Sequence, residues 1–174
     1  MKTLIRKVLF LNISILIVTF VFIAGCQQQK PDPSVELKPL LDKGIAIWNN
    51  GNLDEVAELW DSNVVRTANQ LPDVNGLDGI KNVINSFRAS FPDLKITIDE
   101  EIYAENKITF RWTLTGTNTG PGEMPPTGKQ IKIWGISILH FANGKLTREI
   151  VSFDNQALME QLGFTMMQPS ETKQ

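Results

Sequence analysis

Ile108-Thr109-Phe110-Arg111-Trp112-Thr113-Leu114-Thr115 alternates large apolar side chains with polar ones, the two-residue period of a β-strand that buries one face. Upstream the period repeats, with Leu94, Ile96 and Ile98 alternating with Lys95, Thr97 and Asp99, and Glu105-Asn106 predicts the turn between the two strands. Downstream, a Gly- and Pro-rich loop over residues 120–128 leads to a strand at 130–141. Both of its faces are largely apolar, so it is expected to be covered on both sides. Asn143-Gly144 predicts a hairpin turn and residues 146–153 a returning strand. The expected sheet is therefore a four-strand antiparallel meander.

Before Pro92 the period is helical. Leu37, Leu40, Leu41, Ile45 and Trp48 recur at helical spacing and stop at Asn49-Asn50-Gly51, a C-cap signal. Asn52 is expected to cap a second helix over residues 53–60, with Asp54 and Glu55 in its first turn, where the helix dipole favours negative charge. Val64-Val65-Arg66 predicts a brief strand. A further helix is expected over residues 77–90, with Ile80, Val83, Ile84 and Phe87 on one face, closed by Phe91-Pro92-Asp93. Asp154 is expected to cap a last short helix that ends at Gly163. Helices first, then the meander, then a terminal helix is an α+β order.

The N-terminus carries its own signal. Lys2, Arg6 and Lys7 precede an apolar run that closes on Ile23-Ala24-Gly25-Cys26, the pattern of a bacterial lipoprotein signal with Cys26 as the acylated residue. The expected organisation is a signal peptide over residues 1–25, a polar, Pro-containing tether over 26–34, a domain over 35–165 and a polar tail over 166–174. The expected location is a bacterial membrane on its extracytoplasmic side, held through the lipid anchor. Residues 1–25 take three of the 17 basic side chains and none of the 19 acidic ones, so residues 26–174 carry a formal charge of −5. That surface repels a phosphate backbone, and nucleic acid is not an expected partner. One cysteine and one histidine leave no basis for a disulfide framework, a cysteine-ligated zinc or a histidine-cluster metal site.

Several segments, in order, resemble one family: Phe91-Pro92-Asp93-Leu94, residues 111–117 (Arg-Trp-Thr-Leu-Thr-Gly-Thr), Met124-Pro125-Pro126-Thr127-Gly128-Lys129, Gly135-Ile136-Ser137-Ile138, Asn143-Gly144-Lys145, and Asp154-Asn155-Gln156-Ala157-Leu158 followed by Gln161-Leu162-Gly163. Over residues 37–164 the chain is similar to the SnoaL-like polyketide cyclases, also called predicted ester cyclases. The resemblance implies a nuclear transport factor 2-like, ketosteroid isomerase-like cone, in which N-terminal helices close a curved antiparallel sheet around a mostly apolar cavity. It also implies cofactor-free aldol cyclisation by an aspartate and a histidine. At the matching positions this chain has Val151 and Ser137, which cannot supply that acid–base pair, and a one-residue slip would offer only Ser152 or Ile150.

Glu149 shares strand parity with Val151 and is either a displaced general base or a solvated carboxylate. Asp154 is either a helix cap or a proton acceptor. His140 has the parity opposite to Ser137, which places it on the outer face. Arg66 is either a ligand-binding cation or one half of a surface ion pair. Trp48, Phe87 and Trp112 are expected to face inward, as core or as a ligand platform. Lys43, Lys81 and Lys129 are scattered and form no phosphate site. The loop at 120–128 reads as a rim beside the cavity or as a stiff connector. The expected function is binding of a small apolar or carbonyl-bearing molecule without a cofactor. Two alternatives stay open: an ester cyclase, isomerase, dehydratase or hydrolase using Glu149 or Asp154, and an envelope module that homodimerises through Trp134, Ile136 and Ile138.

Overall fold

The computed structural model describes residues 30–69, 71–122 and 125–165. The expected signal peptide, Cys26, most of the tether and the tail at 166–174 lie outside the described residues. The first helix, α1, spans Pro33–Asn50 and so begins slightly before the expected domain start at Val35. It buries Leu37, Leu41, Ile47 and Trp48 on one stripe. Gly51 ends it in the left-handed region at φ +74°, with its N–H on the Ile47 carbonyl at 2.8 Å. Arg88 adds a second stop: its Nη1 donates to the carbonyls of Trp48 and Asn49 at 3.2 and 2.6 Å, pairing C-terminal groups that the helix leaves free.

The expected second helix is shorter than its sequence suggests. Residues Leu53–Glu55 form a single 3₁₀ turn, α2 is one turn at Val56–Leu59, and Trp60 already belongs to a strand. The Asn52 side chain accepts no bond from the backbone, and its amide instead donates to Glu55 Oε1 at 3.0 Å. The brief strand expected at Val64-Val65-Arg66 is β1, nine residues at Trp60–Ala68. Strand pairing decides this conflict, because β1 lies parallel to the final strand with Trp60 opposite Leu146 and Ala68 opposite Val151. A short β2, Val74–Asn75, covers the other edge of β1 and leads into α3, Gly76–Ser90.

The meander follows as β3 (Lys95–Ala104), β4 (Lys107–Thr117), β5 (Gln130–Ala142) and β6 (Lys145–Phe153). Asn143 and Gly144 both take positive φ, +52° and +73°, as a tight hairpin between twisted strands requires. With β1 and β2 added, the four-strand antiparallel expectation becomes a six-stranded sheet in the order β2-β1-β6-β5-β4-β3, with one parallel pair. The terminal helix α4, Asn155–Leu162, starts where Asp154 accepts the Ala157 N–H at 2.9 Å and ends at Gly163 with φ +89°.

The strand at 130–141 is covered on one face only. Ile131, Ile133, Leu139 and Phe141 are buried, while Trp134 and Ile136 on the opposite face remain 53% and 41% exposed. The Arg111 guanidinium stacks on the Trp134 ring at 5.3 Å and pairs with Asp99 at 3.2 Å, so cationic and aliphatic groups share that outer surface.

The described residues of the loop at 120–128 form a connector. Asn118, fully buried, accepts the Thr127 N–H at 2.7 Å and donates to the Ser90 carbonyl at 3.3 Å. A Cβ added at Gly122 would lie 1.7 Å from Ser90 Oγ, so glycine lets the loop press against the end of α3. No described residue of this loop lines the cavity.

Asp93 anchors the far end of β4. Its carboxylate accepts the Thr117 hydroxyl at 2.7 Å and the Thr117 N–H at 2.6 Å, and these bonds hold its pKa below the ordinary aspartate value. A lowered carboxyl pKa contributes stability above the unfolded-state value of about 4 that fades as pH falls through the folded-state value. Asp93→Asn is therefore expected to lose stability at pH 7 by a margin that narrows as the pH falls below about 4, measured by urea unfolding across that range.

Candidate functional site

The concave face of the sheet and the helices above it enclose a cavity of about 60 Å³. Register arranges its floor in rows. Ile108, Leu139, Glu149 and Arg66 face one another across β4, β5, β6 and β1. Phe110, Ser137, Val151 and Ala68 form the next row, and Trp112, Gly135 and Phe153 the third. Leu40, Gly44 and Trp48 of α1 and Phe87 of α3 close the cavity from above. Trp48 and Phe87 meet edge to face with centroids 6.0 Å apart, and α1 is fixed over β3 because Asn49 exchanges hydrogen bonds with the Ile96 backbone at 2.7 and 3.0 Å.

Gly135 makes the third row possible. A Cβ there would lie 2.3 Å from Trp112 Cζ2, so its absence lets Trp112 and Phe153 lean over the strand from either side. The Trp112 indole Nε1 then donates to Ser137 Oγ at 3.0 Å. Ser137 is buried and sits behind the indole, outside the cavity lining. It lies directly opposite Val151. The two positions where the resemblance puts a cyclase's histidine and aspartate are thus neighbours on adjacent inward-facing strands, but they carry a hydroxyl bound to an indole and an isopropyl group.

The charged groups among the described lining residues are Arg66 and Glu149. Arg66 shares the inward parity of Val64 and Ala68, and the parallel β1–β6 register sets Glu149 beside it. Their side chains are each 10% exposed, with Nε to Oε2 at 3.3 Å. The pair is buried, so Glu149 is no solvated carboxylate and Arg66 no surface cation. The guanidinium lies 5.8 Å from the Trp48 ring centroid. Arg66 Nε and the indole Nε1 of Trp60, which also lines the cavity, are buried without a hydrogen-bond partner.

The remaining candidates stand apart. Asp154 is exposed and occupied as the α4 cap. His140 is half-buried with the outward parity, and burial together with the positive charges of Lys107 and Arg148 lowers its pKa. Lys43 pairs with Glu58 on the surface. No cluster of three His, Cys, Asp or Glu side chains forms among the described residues. Sequence reading missed Trp60, assigned to a helix end, and it missed the pairing of Arg66 with Glu149. Alternation of Val64, Arg66 and Ala68 was the available signal for the inward direction of Arg66.

The family described as SnoaL-like polyketide cyclase matches the chain over residues 40–162. No curated protein sequence matches it. Among solved structures, AclR from Streptomyces galilaeus is similar at 23% identity, covering 78% of this chain and 86% of that one, with a TM-score of 0.67. A structure named as a SnoaL-like polyketide cyclase from Jannaschia sp. CCS1 is similar at 16% identity over 80% of this chain and 99% of that one, with a TM-score of 0.67. One named as a polyketide cyclase from Bacillus cereus ATCC 10987 shares 27% identity over 71% of this chain and 78% of that one, with a TM-score of 0.60.

Proposed function

Because the chain belongs to the SnoaL-like polyketide cyclase family, we propose that its cone binds a small, mostly apolar molecule bearing a carbonyl or similar oxygen, and that it does so without the family's aldol chemistry. The observation that carries this reading is a cavity with aromatic and aliphatic walls and a single buried polar end, Arg66 with Glu149. The space open to the centre of a water-sized sphere is about 60 Å³, so the fitting ligand is compact, of the size of a single small ring. Val151 and Ser137 hold no exchangeable proton suited to aldol closure. Titration of the full chain in detergent with cyclohexanone is expected to change tryptophan emission saturably. A linear response there and across a panel of small ketones and lactones would remove the reading's support.

A second reading is favoured by the position of Glu149 on the cavity wall. In a cofactor-independent isomerase, dehydratase, hydrolase or ester cyclase, Glu149 would take the proton while Arg66 polarises the carbonyl. Turnover of a small ketone or ester that disappears in Glu149→Gln would establish it in place of simple binding.

The Ile-Ala-Gly-Cys run motivates the proposed location, a bacterial membrane reached through acylated Cys26. Cys26→Ser is expected to abolish incorporation of labelled palmitate and to leave unprocessed precursor. Soluble, unlabelled wild-type protein would contradict this. The exposed Trp134 and Ile136 motivate homodimerisation of the outer face, for which Trp134→Lys is expected to lower the sedimentation mass.

A further inference from the structure

The polar end of the cavity is built but incompletely satisfied. A guanidinium carries five N–H donors and an ionised carboxylate offers about four acceptor sites. Here, among the described residues, the two groups share one contact at 3.3 Å, and Arg66 Nε is buried without an aligned hydrogen bond. A buried ion pair offsets its desolvation only when further hydrogen bonds take up the remaining donors and lone pairs. Trp48 covers the guanidinium on one side, and Glu149 is held beside it by the β1–β6 register. Arg66 Nε faces Glu149 Oε2, so the other N–H groups of the guanidinium and the other lone pairs of the carboxylate lie next to each other at a spacing the register fixes.

Charge narrows what fits them. The pair is neutral as a unit, so an anion drawn to Arg66 meets the Glu149 carboxylate and a cation drawn to Glu149 meets the guanidinium, in a pocket with little water to screen either. An apolar ligand leaves both groups unsatisfied. A neutral group with a donor and an acceptor on neighbouring atoms completes both at once.

We propose that the ligand is a neutral molecule with an N–H or O–H donor adjacent to a carbonyl, a lactam being the simplest case, its donor on Glu149 and its carbonyl on Arg66. This rests on the binding reading above and adds the class of head group.

Three six-membered rings of similar shape test it on the full chain in detergent at pH 7: δ-valerolactam with donor and acceptor, δ-valerolactone with acceptors only, and cyclohexane with neither. Each is measured by calorimetric titration on wild type and on the double variant Arg66→Met with Glu149→Leu, which replaces the pair by apolar groups of similar reach. The ratio of lactam to lactone affinity is expected to fall on the order of tenfold in the double variant, the value of about one hydrogen bond to a charged group. An unchanged ratio overturns the head-group assignment and leaves the binding reading standing. If none of the three rings binds wild type, both fail. Should the double variant not fold, the wild type still decides: the lactam N–H proton resonance is expected to move downfield on binding, and an unmoved resonance overturns the proposal.

Discussion

Glu149→Ala is expected to lower the unfolding free energy by about 3–5 kcal/mol, because removing one member of a buried ion pair leaves the other charge uncompensated in a low-dielectric site. Glu149 and Arg66 are each 10% exposed at the side chain, and Glu149 is the one ion-pair partner of the guanidinium among the described residues. Truncation therefore strands a positive charge between the Trp48 ring and the apolar floor. Replacing both partners, Arg66→Met with Glu149→Leu, is expected to be nearly neutral or stabilising, since apolar groups of similar volume fill the space without desolvating charge. Urea unfolding of the single and double variants separates the two effects. A single-variant loss under about 1 kcal/mol, the range of exposed pairs, would mean that water reaches the pair and that the cavity end is wetter than the burial implies.

Trp112→Ala is expected to cost a comparable 3–5 kcal/mol, the range for deleting a large buried aromatic. Its ring is 7% exposed, leans over Gly135 against Phe153 at a centroid distance of 6.3 Å, and gives its N–H to Ser137. Truncation removes the floor of the cavity and leaves the Ser137 hydroxyl without its partner. Ser137→Ala isolates the polar part and is expected to cost about 1–3 kcal/mol, the penalty for a buried indole N–H left unpaired. If Ser137→Ala were as costly as Trp112→Ala, hydrogen bonding and not packing would dominate this wall. Thermal or urea unfolding of the two variants decides between them.

The meander was legible because each strand buries one face, and its alternation survives in Leu94–Ile98, Ile108–Leu114 and the paired residues of β5 and β6. The Asn143-Gly144 turn and the Asp154 cap were legible for a local reason: a short polar side chain or a glycine satisfies backbone geometry within a few residues. The length of β1 was not. Asp61, Ser62 and Asn63 interrupt its apolar pattern where the register shifts between Trp60 and Val65, and the partner strand lies some 80 residues further along the chain. Local propensity carries no information about a parallel pairing of that separation. The same gap hid the centre of the site. Trp48 and Phe87 could be directed inward by helical spacing and Trp112 and Val151 by strand parity, whereas the pairing of Arg66 with Glu149 exists only once β1 docks on β6. The outer face of β5 misled in the other direction, because Trp134 and Ile136 look like core by composition yet remain exposed.

The chain contains four tryptophans, and their placement supplies an internal control for the claim that the hollow of the cone is a binding site. Trp48, Trp60 and Trp112 line the cavity, and Trp134 lies on the opposite face of the sheet at 53% exposure. A titration with cyclohexanone followed through the four ¹⁵N-labelled indole resonances tests the claim directly. Binding in the cone requires the resonances of Trp48, Trp60 and Trp112 to move saturably with one dissociation constant while that of Trp134 stays fixed. Movement of Trp134 alone, or of none of the four up to the solubility limit, would contradict it.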